Sequence, residues 1–183
     1  MAQTAVFLAD GFEEIEALTV VDLLRRAGIE CRMVSISEKV EVTGSHGIKV
    51  QADGVLGEVD FSSLDMLILP GGMPGTKNLK ACAPLAEQIR AFDAAGKYLA
   101  AICAAPTVFG EMGLLRGRRA CCYPGCEDAL DGAEVVTEEV AVDGHFTTSR
   151  GMGTAIPFGL ALIERLLDPG AAEEMAKRIV YRR

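Results

Sequence analysis

The chain has 183 residues, half of them hydrophobic and about a quarter charged, with 20 glycines and a formal net charge of −8. That length and composition suit one folded domain with a sizeable core and exclude a disordered chain. The acidic balance argues against nucleic-acid binding, which draws on clustered Lys and Arg.

Near the N-terminus the only apolar run is Ala5 to Ala9, too short for a signal-peptide core or a membrane span, so a cytoplasmic protein with no membrane association is expected. Six cysteines without an export signal read as free thiols in a reducing compartment. Cys121, Cys122 and Cys126 cluster, but no second Cys pair or nearby His stands at zinc-site spacing, and no metal is expected. The locally basic tail Lys177 to Arg183 suits the C-terminal end of a helix.

In chain order, Thr4 to Ala9 reads as a strand closed by the turn Asp10-Gly11. A helix follows from Glu13 to about Ala27, with Ile15, Leu18, Val21 and Leu24 at helical spacing and Gly28 as its stop. Ile29 to Ile36 is the second strand and completes a βαβ unit. Val40 to Thr43 and Gly47 to Ala52 read as a hairpin appended at the sheet edge. Asp65 to Leu69 is a strand ending in a Gly/Pro-rich loop, and Pro84 to Ala95 is a helix stopped by Gly96.

Tyr98 to Ile102 is a short continuous apolar run, the pattern of a strand buried on both faces of a parallel sheet. Pro106 suits the first turn of the next helix, so Cys103 falls in the turn between them. Further on come a strand at Arg118 to Cys122, a hairpin of Val135 to Val142 with Phe146 to Ser149, and two helices. The first of these, Thr154 to Leu167, is apolar on nearly every side, and the second runs from Gly170 to Val180. Alternating strands and helices predict a parallel α/β sandwich with no linker dividing it.

Cys103, flanked by Ala101, Ala104 and Ala105, is the candidate nucleophile on a sharp elbow, where a helix dipole favours the thiolate. Ligands in such folds sit beyond the carboxyl ends of the strands, where the loops at Asp10–Glu14, Pro70–Gly75 and Cys103–Pro106 converge. A carboxyl beside a thiolate in a dry pocket holds its proton, and one of Glu13, Glu14 and Glu16 is placed to lean over the site. Gly71, Gly72 and Ala104 offer main-chain N–H groups for an oxyanion hole. The chain has two histidines: His145 is expected exposed at a hairpin tip, and His46 lies in a Gly-bounded loop within possible reach of the site.

Five ordered motifs span almost the whole chain: Gly11-Phe-Glu-Glu-Ile-Glu-Ala17, Val21 to Gly28, Leu69-Pro-Gly-Gly72, Ala101-Ile-Cys-Ala-Ala-Pro-Thr107 and Thr148-Ser-Arg-Gly-Met-Gly-Thr-Ala155. They resemble the ThiJ/PfpI superfamily, in the branch of Parkinson disease protein seven and its bacterial relatives. The resemblance implies a flavodoxin-like three-layer sandwich with a mainly parallel sheet, one class I glutamine amidotransferase-like domain, and a homodimer. It also implies a reactive cysteine paired with a protonated glutamate. Carried over, Cys103 is the nucleophile, Glu14 its partner, Gly72 and Ala104 the main-chain donors, and Arg150 a residue bordering the site. Where many relatives have a histidine after the strand that follows the elbow, this chain has Tyr123.

The function so implied is cofactor-independent chemistry on small reactive aldehydes, either methylglyoxal to lactate or removal of early glycation adducts. An alternative is an oxidative-stress sensor or redox-regulated chaperone acting through oxidation of Cys103. A cysteine peptidase is disfavoured for want of a histidine base.

Overall fold

A computed structural model describes residues 2–182, and the elements below are counted among them. Arg183, the end of the basic tail, lies outside the described residues. Strand β1 (Gln3–Leu8) leads into helix α1 (Glu14–Arg26), then β2 (Glu30–Ser35), the hairpin β3 (Glu41–Thr43) and β4 (Lys49–Gln51), and β5 (Gly54–Val55). After two short 3₁₀ turns come β6 (Met66–Leu69), α2 (Gly75–Ala81), α3 (Ala83–Ala95), β7 (Tyr98–Ile102) and α4 (Pro106–Glu111). The C-terminal part holds β8 (Arg119–Ala120), β9 (Glu134–Val135), β10 (Val140–Asp143), β11 (Phe146–Ser149), α5 (Ala155–Leu166) and α6 (Pro169–Arg178).

Seven strands form one sheet in the order β10-β11-β7-β6-β1-β2-β5, parallel throughout except for β10. Period-two alternation divides its side chains between two cores. Val6, Leu8, Met66, Ile68, Ala100 and Ile102 pack beneath α1, α5 and α6, while Ala5, Phe7, Leu67, Leu69, Leu99 and Ala101 face α3 and α4. The fold is the flavodoxin-like sandwich that the motifs imply. From β1 the chain builds outward through β2 to β5, then crosses back to β6 on the other side. The crevice where the order reverses lies beyond β1 and β6, the place where such sheets bind ligands.

Three expectations need correction. The β3–β4 hairpin is not on the sheet edge, because β5 fills that edge by pairing with Val34 and Ser35. The hairpin instead pairs Val42 with Val50 in a small sheet of its own and docks on the β1–α1 loop. There the Gly11 N–H donates to the Thr43 carbonyl at 2.8 Å and the Ser45 N–H to the Phe12 carbonyl at 2.8 Å. Strand β8 is shorter than the apolar pattern predicts, because the Cys121 N–H leaves the ladder and donates to the Thr148 hydroxyl at 3.0 Å. His145 is not an exposed tip residue: its Nε2 meets the Asp93 carboxylate at 2.8 Å and its ring lies 4.5 Å from that of Phe146.

Candidate active site

Cys103 stands at the carboxyl end of β7 with φ 65°, a left-handed backbone that a non-glycine residue adopts at a cost of ~1–2 kcal/mol. Its N–H donates to the Ser149 carbonyl at 3.0 Å, and the Ala105 N–H turns back to the Ile102 carbonyl at 3.1 Å. The elbow thus read from the sequence is present. It brings the sulfur to the floor of a cavity of about 780 Å³ whose walls include Glu13, Glu16, His46, Tyr123 and Arg150.

The carboxyl that meets the sulfur is Glu16, not Glu14. It is hydrogen bonded to the Cys103 thiol, and its Oε2 accepts the Gly71 N–H at 2.9 Å. Two positions on an α-helix point about 200° apart, so Glu14 and Glu16 cannot both face the elbow. Glu16 lies on the buried face of α1 with Ala17, Val20 and Leu24. Glu14 turns to the β3–β4 loop, where its Oε1 accepts the His46 N–H at 2.8 Å and its Oε2 meets His46 Nδ1 at 3.0 Å.

Gly71 is not the oxyanion donor the sequence suggests, because its N–H is already taken by Glu16. The N–H groups of Gly72 and Ala104 do converge on the Cys103 sulfur. Gly71 matters by being small: a Cβ there would lie 2.5 Å from Cys103 Cβ and 2.7 Å from Glu16 Oε2. Gly71→Ala is therefore expected to destabilise the fold by about 1–3 kcal/mol in urea denaturation, by forcing apart the thiol and the carboxyl.

The electrostatics differ from a helix-stabilised thiolate. Burial raises the Glu16 carboxyl from 4.5 to about 7, against the hydrogen bonds from Cys103 and Gly71, and the charge of Glu13 adds to the rise. Burial pushes the Cys103 thiol up to about 12, helped by the charge and hydrogen bond of Glu16 and opposed by the Ala104 and Gly72 N–H groups. The helix after the elbow has only six residues, too little dipole to offset that burial. Burial therefore works against the charged form of both members of the pair.

At the rim, burial alone would raise Glu14. Hydrogen bonds from the His46 ring, from its own N–H and from the His46 and Ile48 main chain outweigh burial and hold it at about 2. The His46 ring is raised by its bond to Glu14 and then by the charges of Glu13 and Glu14. Donor atoms of Glu13, Glu14 and His46 lie within 4.8 Å of one another, and the Ser45 hydroxyl stands 3.2 Å from Glu13 Oε2 and 3.3 Å from Glu14 Oε2. Tyr123, half exposed, borders the cavity and donates its N–H to the Cys103 carbonyl at 2.8 Å. Arg150 reaches the wall from the loop after β11, and Cys126, not anticipated in the site, also lines it.

The family model described as the DJ-1/PfpI family matches residues 2–165. The DJ-1 homolog B of Arabidopsis thaliana is 41% identical over 177 residues, covering 96% of this chain but only 40% of that longer protein. A protein of Pyrococcus abyssi named as a deglycase is 35% identical over 150 residues, covering 81% of this chain and 89% of its own. The solved structure of Toxoplasma gondii DJ-1 in an oxidised form is 35% identical and superposes over the whole of both chains with a TM-score of 0.96. Sequence, fold and these likenesses agree, and the chain belongs to the DJ-1/PfpI family.

Proposed function

We propose that the protein is a cysteine-dependent enzyme acting on small reactive aldehydes, converting methylglyoxal to lactate or hydrolysing early glycation adducts. The observation that carries this reading is the Cys103 thiol on a strained turn, hydrogen bonded to a buried carboxyl poised near neutrality and open to a cavity. The deglycase name of the Pyrococcus relative supports it.

In the first step the thiol proton passes to the Glu16 carboxylate as sulfur bonds to the aldehyde carbon. The carbonyl oxygen of that carbon then takes the proton back, giving a hemithioacetal. A carboxyl tuned to about 7 is suited to both directions of that transfer. Glu16 next removes the hydrogen of the former aldehyde carbon, the electron pair forms an enediol with the neighbouring ketone carbon, and the ketone oxygen gains a proton. Glu16 returns its proton to that second carbon while the first carbon's hydroxyl loses one, leaving a thioester. Water cleaves the thioester to lactate and restores the thiol. The Gly72 and Ala104 N–H groups steady the sulfur throughout.

The test is enantiomer-resolved lactate formation from methylglyoxal by the wild-type protein. Steady accumulation of one enantiomer is expected, since Glu16 delivers its proton from one face. Loss of methylglyoxal without lactate overturns the reading. A second reading, an oxidation sensor, draws on the oxidised Toxoplasma relative and on a sulfur reachable from the cavity. Its mark is a gain of oxygen confined to Cys103 under mild peroxide in a protein that turns over no aldehyde.

A further inference from the structure

We propose that His46, aimed by Glu14, is a catalytic residue that carries the oxygen-bound protons into and out of the enediol, while Glu16 carries the carbon-bound one there and the thiol proton of the addition step. This rests on the aldehyde reading above. The docked β3–β4 hairpin supplies an imidazole to the site: His46 lines the same cavity as Cys103.

The ring is 70% exposed and is anchored at its Nδ1 edge. Glu14 is 2% exposed and binds both the His46 main-chain N–H, at 2.8 Å, and Nδ1, at 3.0 Å. An ionised carboxylate only accepts, so the proton of the neutral ring sits on Nδ1 and the lone pair on Nε2. The Ser45 hydroxyl, 3.0 Å from Nδ1, occupies the same side. Nε2 has no hydrogen-bond partner among the described residues and is left for substrate. An imidazole of the hairpin, oriented by a carboxylate of α1, thus stands at the wall of the cavity whose floor holds the thiol. Room for the carboxylate is built in: a Cβ on Gly44 would lie 2.2 Å from Glu14 Oε1.

The protons balance. As Glu16 takes the carbon-bound hydrogen, imidazolium Nε2–H gives its proton to the ketone oxygen, forming the neutral enediol. As Glu16 returns its proton to the second carbon, neutral His46 takes the proton of the first carbon's hydroxyl, forming the thioester carbonyl. Both residues end the cycle as they began it, and no oxidant or reductant is needed.

The required forms are ionised Glu16 and protonated His46, so kcat/KM rises with pH through Glu16 and falls as pH rises through His46. The groups facing the ring are Glu13, just before α1, and Glu14 on it and, around the cavity, Glu16, Cys103, Tyr123, Cys126 and Arg150. The two carboxylates nearest the ring favour its cationic form.

The experiment compares wild type, His46→Ala and Glu14→Gln for lactate formation from methylglyoxal across pH. His46→Ala is expected to lower kcat about 100-fold with KM nearly unchanged, to lose the alkaline limb, and to recover rate on addition of free imidazole. Glu14→Gln keeps the limb but moves it to lower pH, since the ring loses its anionic partner. A His46→Ala protein with wild-type kcat and an unaltered alkaline limb overturns the assignment. A low rate that imidazole does not restore, with the limb intact, also overturns it, because the role is then structural. If wild type itself makes no lactate, the aldehyde reading fails and takes the assignment with it, a result distinct from an active wild type indifferent to His46.

Discussion

Replacing Cys103 with alanine is expected to reduce lactate formation from methylglyoxal by on the order of 10³-fold or more, with the fold retained. The covalent route splits the reaction into a thiol addition and a thioester hydrolysis, and neither exists without the sulfur. Glu16 remains in the variant, but general acid–base catalysis on a substrate no longer fixed by a bond loses the positioning that makes it effective. Cys103 sits at φ 65°, so the backbone strain persists in the alanine variant and is relieved only in Cys103→Gly. The glycine variant is expected to be equally inactive and about 1 kcal/mol more stable than the alanine one. Cys82, at the junction of α2 and α3, does not line the cavity. Cys82→Ser therefore serves as the thiol control and is expected to retain activity. Equal loss in that control would show that thiol number rather than position matters.

The elbow was legible because three local signals coincide within nine residues: an apolar run of strand length, small residues around a cysteine, and a proline at the first turn of a helix. The central sheet was legible for the same reason, since Leu67 to Leu69 and Leu99 to Ile102 are buried on both faces and need no alternation.

What the sequence concealed is the rotation of α1. Three glutamates occupy four positions at its start, and the apolar series Ile15, Leu18, Val21, Leu24 suggests one buried face. The packed helix turns another way: Ile15 is 49% exposed, while Ala17, Val20 and Leu24 are buried with Glu16 in line. A helical face drawn through Val20 and Leu24 passes through Glu16, and that is the available signal for it. It competes with the rule that carboxylates stay out of cores, and the rule fails here because a thiol and a main-chain N–H receive this one. The hairpin hid its destination for a related reason. Its alternating pattern specifies a two-sided ribbon, but nothing local says that β5, only two residues long, will take the sheet edge and send the ribbon over the site. Helix α2 was missed because Pro74 and Gly75 signal a loop, whereas the burial of Thr76 and Leu79 on one side of it is a tertiary fact.

Glu16→Gln separates activity from stability, and its two effects run in opposite directions. Lactate formation is expected to fall by ~10²–10⁴-fold, because glutamine neither takes the thiol proton nor shuttles one between the two carbons. Its amide oxygen still accepts the Gly71 N–H, so the loop geometry survives. Stability responds to pH with a definite sign. In the unfolded chain the carboxyl titrates near 4.5; in the folded chain burial and then the charge of Glu13 raise it to about 7. Between those values the folded state holds a proton that the unfolded state has lost. The Glu16 contribution to wild-type stability therefore falls as pH rises from about 4.5 through about 7 and stays low above it. The shift corresponds to a penalty of roughly 3 kcal/mol at pH values above the folded titration. Glutamine carries no charge to bury, so the variant is expected to show a higher melting temperature than wild type near pH 8 and a much smaller difference near pH 5. Parallel melting curves for the two proteins at both pH values would mean that Glu16 is not held in its acid form by burial. The carboxyl would then lack the proton affinity that its place beside Cys103 requires.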